Sequence, residues 1–347
     1  MAPNNWVILV NSSRYWFNYR HLTNILTIYR IVKSLGINDN HILLLNAFDL
    51  VHNERNIYSG SMYHDLAKVI DLYQNVEIDY HGDEVTGNLF LQLLSGKSAK
   101  AIPIAKRLQS DSDSNILVYL SGHGGDEFFK FHDTEEISAL DLAESIKELG
   151  RKNMYRNILF MTDTCKSLTL SKYMSQLRNI TYVSSSGASE NSYAYDTDPV
   201  LGVALIDRFT FKIAEFFDKY HTMLKNKKMV SLQALMNVMD PKFLYSHVQF
   251  MTTTGLTPSK IALNDFFSNV EEAYSNHYMT YNYLNSTTSS INWWNIAATG
   301  VISNTGITES KINIGPGNIA PLHLHSELVM LIVIVIVYCL FKCINNK

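Results

Sequence analysis

The sequence predicts an α/β fold, a largely parallel β-sheet flanked by helices. Three observations carry this expectation. Runs rich in Ile, Val and Leu recur at "WVILV" (6–10), "ILLL" (42–45), "ILVYL" (116–120), "ILFMT" (158–162) and "ITYVS" (180–184). They are continuously apolar rather than alternating, the pattern of strands covered on both faces. Helix-period segments lie between them, and strand–helix alternation builds parallel sheets. The composition, 46% hydrophobic and 18% charged over 347 residues, supplies enough apolar material for a sizeable core.

The first strand, "WVILV", runs into the polar stretch "NSSRYWFNYRH" (11–21). A helix is expected over 20–35, with Leu22, Ile25, Leu26, Tyr29, Val32 and Leu35 on one face and Gly36 as its stop. "ILLL" is the second strand. "ILVYL" is the next and runs into "SGHGGDEFF" (121–129). A helix over 139–149 starts after Ser138 as N-cap, buries Leu142, Ile146 and Leu149, and ends at Gly150. "ILFMT" then runs into "DTC" (163–165), "ITYVS" follows, and an apolar-rich helix is expected over 200–217 after Asp198-Pro199. From about residue 281 the chain turns rich in Asn, Ser and Thr with no core period, which reads as a loose connector. The expected organisation is a core domain over 1–268, a connector over 269–326, a membrane helix over 327–344 and a short tail over 345–347.

The membrane helix rests on "LVMLIVIVIVYCLF" (328–341), which carries no charge. A spanning helix needs about 20 apolar residues, with about 17 the lower edge. Counting 328–344 with Lys342 snorkelling reaches that edge and suits a thinner bilayer such as that of the endoplasmic reticulum. Lys342 and Lys347 would face the cytosol under the positive-inside rule, leaving the core domain lumenal. The same lysines disfavour reading the tail as a cleaved lipid-attachment signal. "MAPNN" runs at once into the first strand, so no signal-peptide h-region is legible. Asn285-Ser286-Thr287 is a glycosylation sequon for a lumenal connector, whereas the sequons at Asn11 and Asn179 sit beside core strands.

The charge balance, 29 Lys+Arg against 32 Asp+Glu, offers no basic stripe and no nucleic-acid partner. Three cysteines do not make a disulfide framework, and Cys339 and Cys343 lie in the apolar tail. Cys165 is therefore alone in the core domain. Three strands end in polar, chemistry-bearing residues, and in an open parallel sheet the carboxyl ends gather on one edge, where ligands bind. A lone cysteine is most often a small buried hydrophobe. A strand-end histidine is most often a turn residue. Together, Cys165 and His123 at two strand tips form the nucleophile–base pair that acyl-thioester chemistry needs, since the thiolate is the nucleophile. The N–H groups of Gly124 and Cys165 could hold an oxyanion. Asn18 is a candidate to orient the imidazole, although the pattern alone does not select it.

The stretches "RYWFNYRH" (14–21), "YLSGHGGDEFFKFHD" (119–133), "FMTDTCKS" (160–167) and "DPVLGVALIDRFTF" (198–211) together resemble the legumain-like cysteine peptidases, which share the caspase fold. Within them the resemblance, over about residues 5–268, is to the catalytic subunits of GPI-anchor transamidases, many of which also carry a C-terminal membrane segment. It implies a caspase/legumain-like sheet, Cys165 as nucleophile, His123 as general base and acid, and Asn18 as the residue orienting His123. It implies a substrate pocket lined by Arg20 and Asp163, with Ser184 and Ser185 on its wall. It also implies a calcium-like site at Asp39, Glu77, Asp79 and the Ile42 carbonyl, although the chemistry itself requires no cofactor. The implied partners are precursor proteins with C-terminal attachment signals, a GPI lipid and other subunits of an endoplasmic-reticulum membrane complex. Two positions depart from the pattern. His52 in "DLVHNERN" (49–56) stands where many members have the cysteine of an inter-subunit disulfide. Lys166 follows the nucleophile where glutamine is common. The rival expectations are an endopeptidase with water as acceptor and a non-catalytic membrane scaffold.

Overall fold

A computed structural model describes residues 4–97 and 102–269. The expected membrane helix, nearly all of the connector, the Asn285 sequon, Cys339 and Cys343 lie outside the described residues. Among the described residues no helix is long and apolar enough to cross a membrane.

The five apolar runs are all strands: β1 (Trp6–Asn11), β2 (Ile42–Asn46), β4 (Asn115–Ser121), β8 (Asn157–Asp163) and β9 (Ile180–Ser184). With β3 (Tyr80–His81) and β12 (Gln249–Thr252) they form one seven-stranded sheet in the order β12-β9-β8-β4-β1-β2-β3. Every neighbouring pair is parallel except β12, which runs antiparallel to β9 at the edge. The two-faced burial is literal. Val7 and Leu9 enter one core with the first and fourth helices, while Trp6, Ile8 and Val10 enter a second core on the other face. Each such side chain contributes roughly 1.5–3 kcal/mol when fully removed from water.

Helix α1 (Tyr19–Ser34) buries Leu22, Ile25, Leu26, Tyr29 and Val32. Asn18 occupies its N-cap position but gives the helix no side-chain bond. That is unusual for one of the best capping residues, and it leaves the Asn18 amide available elsewhere. Helix α2 (Gly87–Leu94) and helix α3 (Ala139–Arg151) pack on the opposite face. Ser138 caps α3 as expected. Gly150, however, lies inside α3 rather than ending it, facing the Tyr155 hydroxyl, and Asn153 makes the left-handed turn beyond the helix.

The expected helix over 200–217 is only half a helix. Residues Ala194–Asp198 (β10) and Val203–Asp207 (β11) form an antiparallel hairpin, and helix α4 (Arg208–Lys225) starts after it. Asp198 Oδ1 accepts the N–H groups of Val200 and Leu201, and Gly202 turns the chain at φ +70. That turn chemistry converts an apolar stretch into a strand. A second hairpin, β6 (Phe128–Phe131) with β7 (Glu135–Ser138), follows the short strand β5 (Gly124–Gly125). The Asn11 sequon is fully buried and its amide donates to Asn46 Oδ1, so it cannot accept a glycan.

Candidate active site

The site begins with strand register. β1, β4 and β8 lie side by side, with Asn11 opposite Ser121 and Ser121 opposite Asp163. His123 and Cys165 each stand two residues beyond that last pair, on adjacent parallel strands. The Gly122 N–H reaches the Asp163 carbonyl at 3.4 Å, extending the ladder by one step. Two glycines permit the approach. A Cβ on Gly122 would collide with the buried Ser12 hydroxyl, and a Cβ on Gly124 would sit 2.6 Å from Thr164 Oγ1. Cys165 is a free, half-buried thiol.

The hydrogen-bond network fixes the tautomer of His123. Asn18 Nδ2 donates to the Arg14 carbonyl at 2.6 Å, and a carbonyl can only accept. Asn18 Oδ1 must therefore face His123 Nε2, 2.9 Å away, so Nε2 carries the proton. Nδ1 is left as the basic nitrogen. Burial, aided by the Arg20 guanidinium, holds the His123 pKa below the ordinary imidazole value. The ring is thus neutral near pH 7, as a general base must be. His21 packs edge-on against it at 4.9 Å between centroids and accepts or donates at Ser13 Oγ, 2.8 Å away.

The expected oxyanion donors have the right freedom. The Lys130 N–H bonds to the His123 carbonyl, which makes Gly124 and Phe129 a non-hydrogen-bonded pair and turns the Gly124 N–H away from β6. Among the described residues nothing accepts the Cys165 N–H. Lys166 is left-handed, with φ 51 and ψ 29, and its N–H is held by the Glu190 carbonyl at 2.7 Å. The residue after the nucleophile is therefore a backbone turn that swings Cys165 out of the strand line.

Close to His123 lies a polar cluster that includes Arg20 and Asp207. Arg20 Nε donates to Asp207 Oδ1 at 3.1 Å, and Asn24 holds Asp207 through its own amide at 2.6 Å and the Asp207 N–H at 3.0 Å. His21 lies 3.8 Å from Asp207, but burial keeps its pKa well below the ordinary value, so it is a neutral neighbour and not an ion-pair partner. Asp163 accepts from Ser192 Oγ at 2.6 Å and Thr210 Oγ1 at 2.7 Å. Arg20 and Asp163 are thus brought together through Asp207. Asp207, Asn24, Ser192 and Thr210 are further members that sequence reasoning did not identify. Ser185 reaches the nucleophile turn, exchanging bonds with the Thr164 N–H and carbonyl at 3.2 Å. Ser184 is not brought there. Its hydroxyl donates to the Gln249 carbonyl on the edge strand, because Ser184 pairs with Gln249 in the sheet.

Burial, reinforced by the Asp207 carboxylate, raises the Asp163 pKa to about 7, against the pull of its three hydroxyl partners. The folded state therefore binds the Asp163 proton more tightly than the unfolded chain, where the value is about 3.9. The resulting stability is full below pH ~4 and is lost as the pH rises to about 7. Asp163→Asn should flatten this loss by up to a few kcal/mol. Thermal unfolding of both proteins from pH 4 to 8 measures the difference, and parallel curves would refute it.

The calcium-like set is brought to one corner, where Glu77 and Asp39 act on Asp79. Asp39 accepts the Tyr29 hydroxyl at 2.5 Å on one oxygen and pairs with the Lys33 ammonium through the other. Asp79 Oδ2 accepts the Leu44 N–H at 2.9 Å. Burial raises the Asp79 pKa to about 6, with Glu77 and Asp39 adding to the rise. Ile42 follows the turn at Asp39–His41 and opens β2. Among the described residues no group of three or more His, Cys, Asp or Glu is placed to hold a metal. His52 is exposed, with Nδ1 2.8 Å from Asp49 Oδ2.

Comparison with known proteins places this geometry in context. The chain is 42% identical over 271 residues to a GPI-anchor transamidase of Saccharomyces cerevisiae, a match covering 77% of this chain and 64% of the yeast protein. It is 41% identical over 278 residues to the GPI-anchor transamidase of Schizosaccharomyces pombe, covering 78% and 70%. The human GPI-anchor transamidase is 37% identical over 272 residues, covering 78% and 67%. Caspase-1 from Spodoptera frugiperda aligns in structure at a TM-score of 0.41 and 9% identity, over 73% of this chain and 90% of that one. The assignment does not rest on that alignment. The profile of the peptidase C13 family matches residues 5–290, and with relatives at about 40% identity over most of their length, the chain belongs to that family.

Proposed function

We propose that this chain is the catalytic part of a GPI-anchor transamidase, built on a legumain-like caspase fold. The observation that carries the chemistry is the fixed tautomer of His123, which leaves Nδ1 as the base on the strand tip beside Cys165. The acceptor and substrate follow from the relatives' shared name.

His123 Nδ1 takes the Cys165 proton, and the thiolate attacks the carbonyl at the attachment site of a precursor protein. The Gly124 and Cys165 N–H groups hold the oxyanion. His123 returns its proton to the departing amine, the C-terminal signal peptide leaves, and a thioester remains. The ethanolamine amine of a GPI lipid then attacks the thioester, losing its proton to His123. As the amide forms, the thiolate leaves and recovers that proton. Arg20 and Asp163, bridged by Asp207, shape the substrate pocket. The chain is placed in the endoplasmic-reticulum membrane by a single span over 327–344, with the catalytic domain in the lumen. Its partner subunits associate without a disulfide at His52.

Cells lacking GPI attachment, supplied with this chain together with its partner subunits, test the reading. The native chain should restore surface GPI proteins and Cys165→Ala should not. Equal rescue by both would remove Cys165 from the mechanism. Hydroxylamine should also release signal peptide, as a small amine acceptor. Equal release in water alone would make the chain an endopeptidase.

A further inference from the structure

The backbone just before Asn18 is strained. Tyr15 has φ 68 and ψ 151, a region almost confined to glycine. Burial of its own side chain does not explain this, because Tyr15 is 51% exposed and stacks only on Phe17 and near Phe48. What the conformation does is turn two successive carbonyls toward one residue. The Arg14 carbonyl accepts from Asn18 Nδ2 at 2.6 Å, and the Tyr15 carbonyl accepts the Asn18 N–H at 3.1 Å.

The Arg14 side chain is anchored in turn. Its Nε donates to His132 Nδ1 at 2.7 Å, and its guanidinium pairs with Asp83. His132 is 7% exposed and sits in the β6–β7 turn, whose backbone is tied to β1 by the His132 N–H on the Ser12 carbonyl at 2.8 Å. The carboxylate of Asp83 is almost fully exposed, so that pair holds Arg14 weakly in water. The buried His132 bond is the firm one.

We propose that Arg14 is a positioning residue for the catalytic pair. Clamped by His132, it aims its own carbonyl at the Asn18 amide and so keeps Asn18 Oδ1 on His123 Nε2. The proposal rests on the reading of His123 as the base of Cys165. It goes beyond that reading in assigning the orientation of Asn18 to a side chain 118 residues from its anchor in sequence.

The rate of Cys165 alkylation by iodoacetamide at pH 7, measured in the full chain, tests this without any GPI substrate. A neutral imidazole held beside the thiol takes its proton as the sulfur attacks, which speeds alkylation. Arg14→Ala and Asn18→Ala should each slow it by a similar factor, about tenfold. The double variant should be no slower than either. His132→Ala should slow it likewise, and His132→Gln should restore it, since a side-chain carbonyl can accept from Arg14 Nε. An Arg14→Ala rate equal to the native one while Asn18→Ala slows overturns the proposal alone. If Arg14→Ala does not fold, the His132 pair decides, and equal rates for Ala and Gln overturn it. An unchanged Asn18→Ala rate overturns the Asn18–His123 reading and this proposal with it.

Discussion

His123→Ala should lower signal-peptide release by about 10⁴-fold while leaving the domain folded. The ring is half-buried at a strand tip, and its side chain belongs to neither of the two apolar cores. Removing it costs little packing but takes away both proton transfers of each half-reaction. In the proposed mechanism the general base for Cys165 and the acid for the leaving amine are the same Nδ1 atom, so no second group covers for it. Asn18→Ala should have a smaller effect, because the imidazole keeps its edge-on contact with His21 and loses only its orienting acceptor. Single-turnover assays on a precursor peptide compare the two. A loss below tenfold for His123→Ala would take the ring out of the chemistry.

Asp207→Ala is expected to destabilise the domain by about 3 kcal/mol, the scale for breaking a buried ion pair by removing one partner. The Asp207 side chain is 5% exposed and that of Arg20 19%. Without the carboxylate, Arg20 Nε loses its acceptor and the Asn24 amide keeps only Ser121 Oγ. One term runs the other way. The Asp207 charge helps raise the Asp163 pKa, so that pKa should fall and Asp163 should ionise more readily in the variant. The two effects separate by pH. The loss should be largest near pH 5, where native Asp163 is neutral and gains nothing from the change, and smaller near pH 8. Asp207→Asn, which keeps an acceptor for Arg20, should lose less than half as much. Calorimetry at both pH values checks the ordering, and a loss independent of pH would contradict the coupling between the two carboxyl groups.

The fold was legible wherever burial is two-sided. A strand covered on both faces has no alternation to misread, and all five such runs in the sheet were found with edges within a residue or two. The stretch 200–217 failed for a related reason. Its first half pairs in a hairpin outside the main sheet, and its apolar character carries neither a clear helical nor a clear strand period. That one miss concealed part of the site. Asp207 ends β11 just as Asp163 ends β8, so reading β11 as a strand would have put Asp207 among the polar strand ends. Cys165 and His123 were legible because each follows a strand directly. Asn18 was not selected by pattern, since its role rests on a contact 105 residues away along the chain. The acidic corner at Asp39 and Asp79 was suggested by family resemblance rather than by pattern, and the pairing of Lys33 with Asp39 there was not legible, because it joins a helix to the turn that follows it.

The matched register of β4 and β8 has a consequence for motion. His123 and Cys165 hang only two residues beyond a paired Ser121 and Asp163, so little backbone is free to carry them apart. The strands that carry them are buried over six or seven successive positions. Amide hydrogens of β4 and β8 should therefore exchange only through global unfolding, at the slow limit for the whole domain. His123 and Cys165 are thus carried by strands whose opening should be as costly as unfolding the domain, which leaves any adjustment of the site to the loops around them.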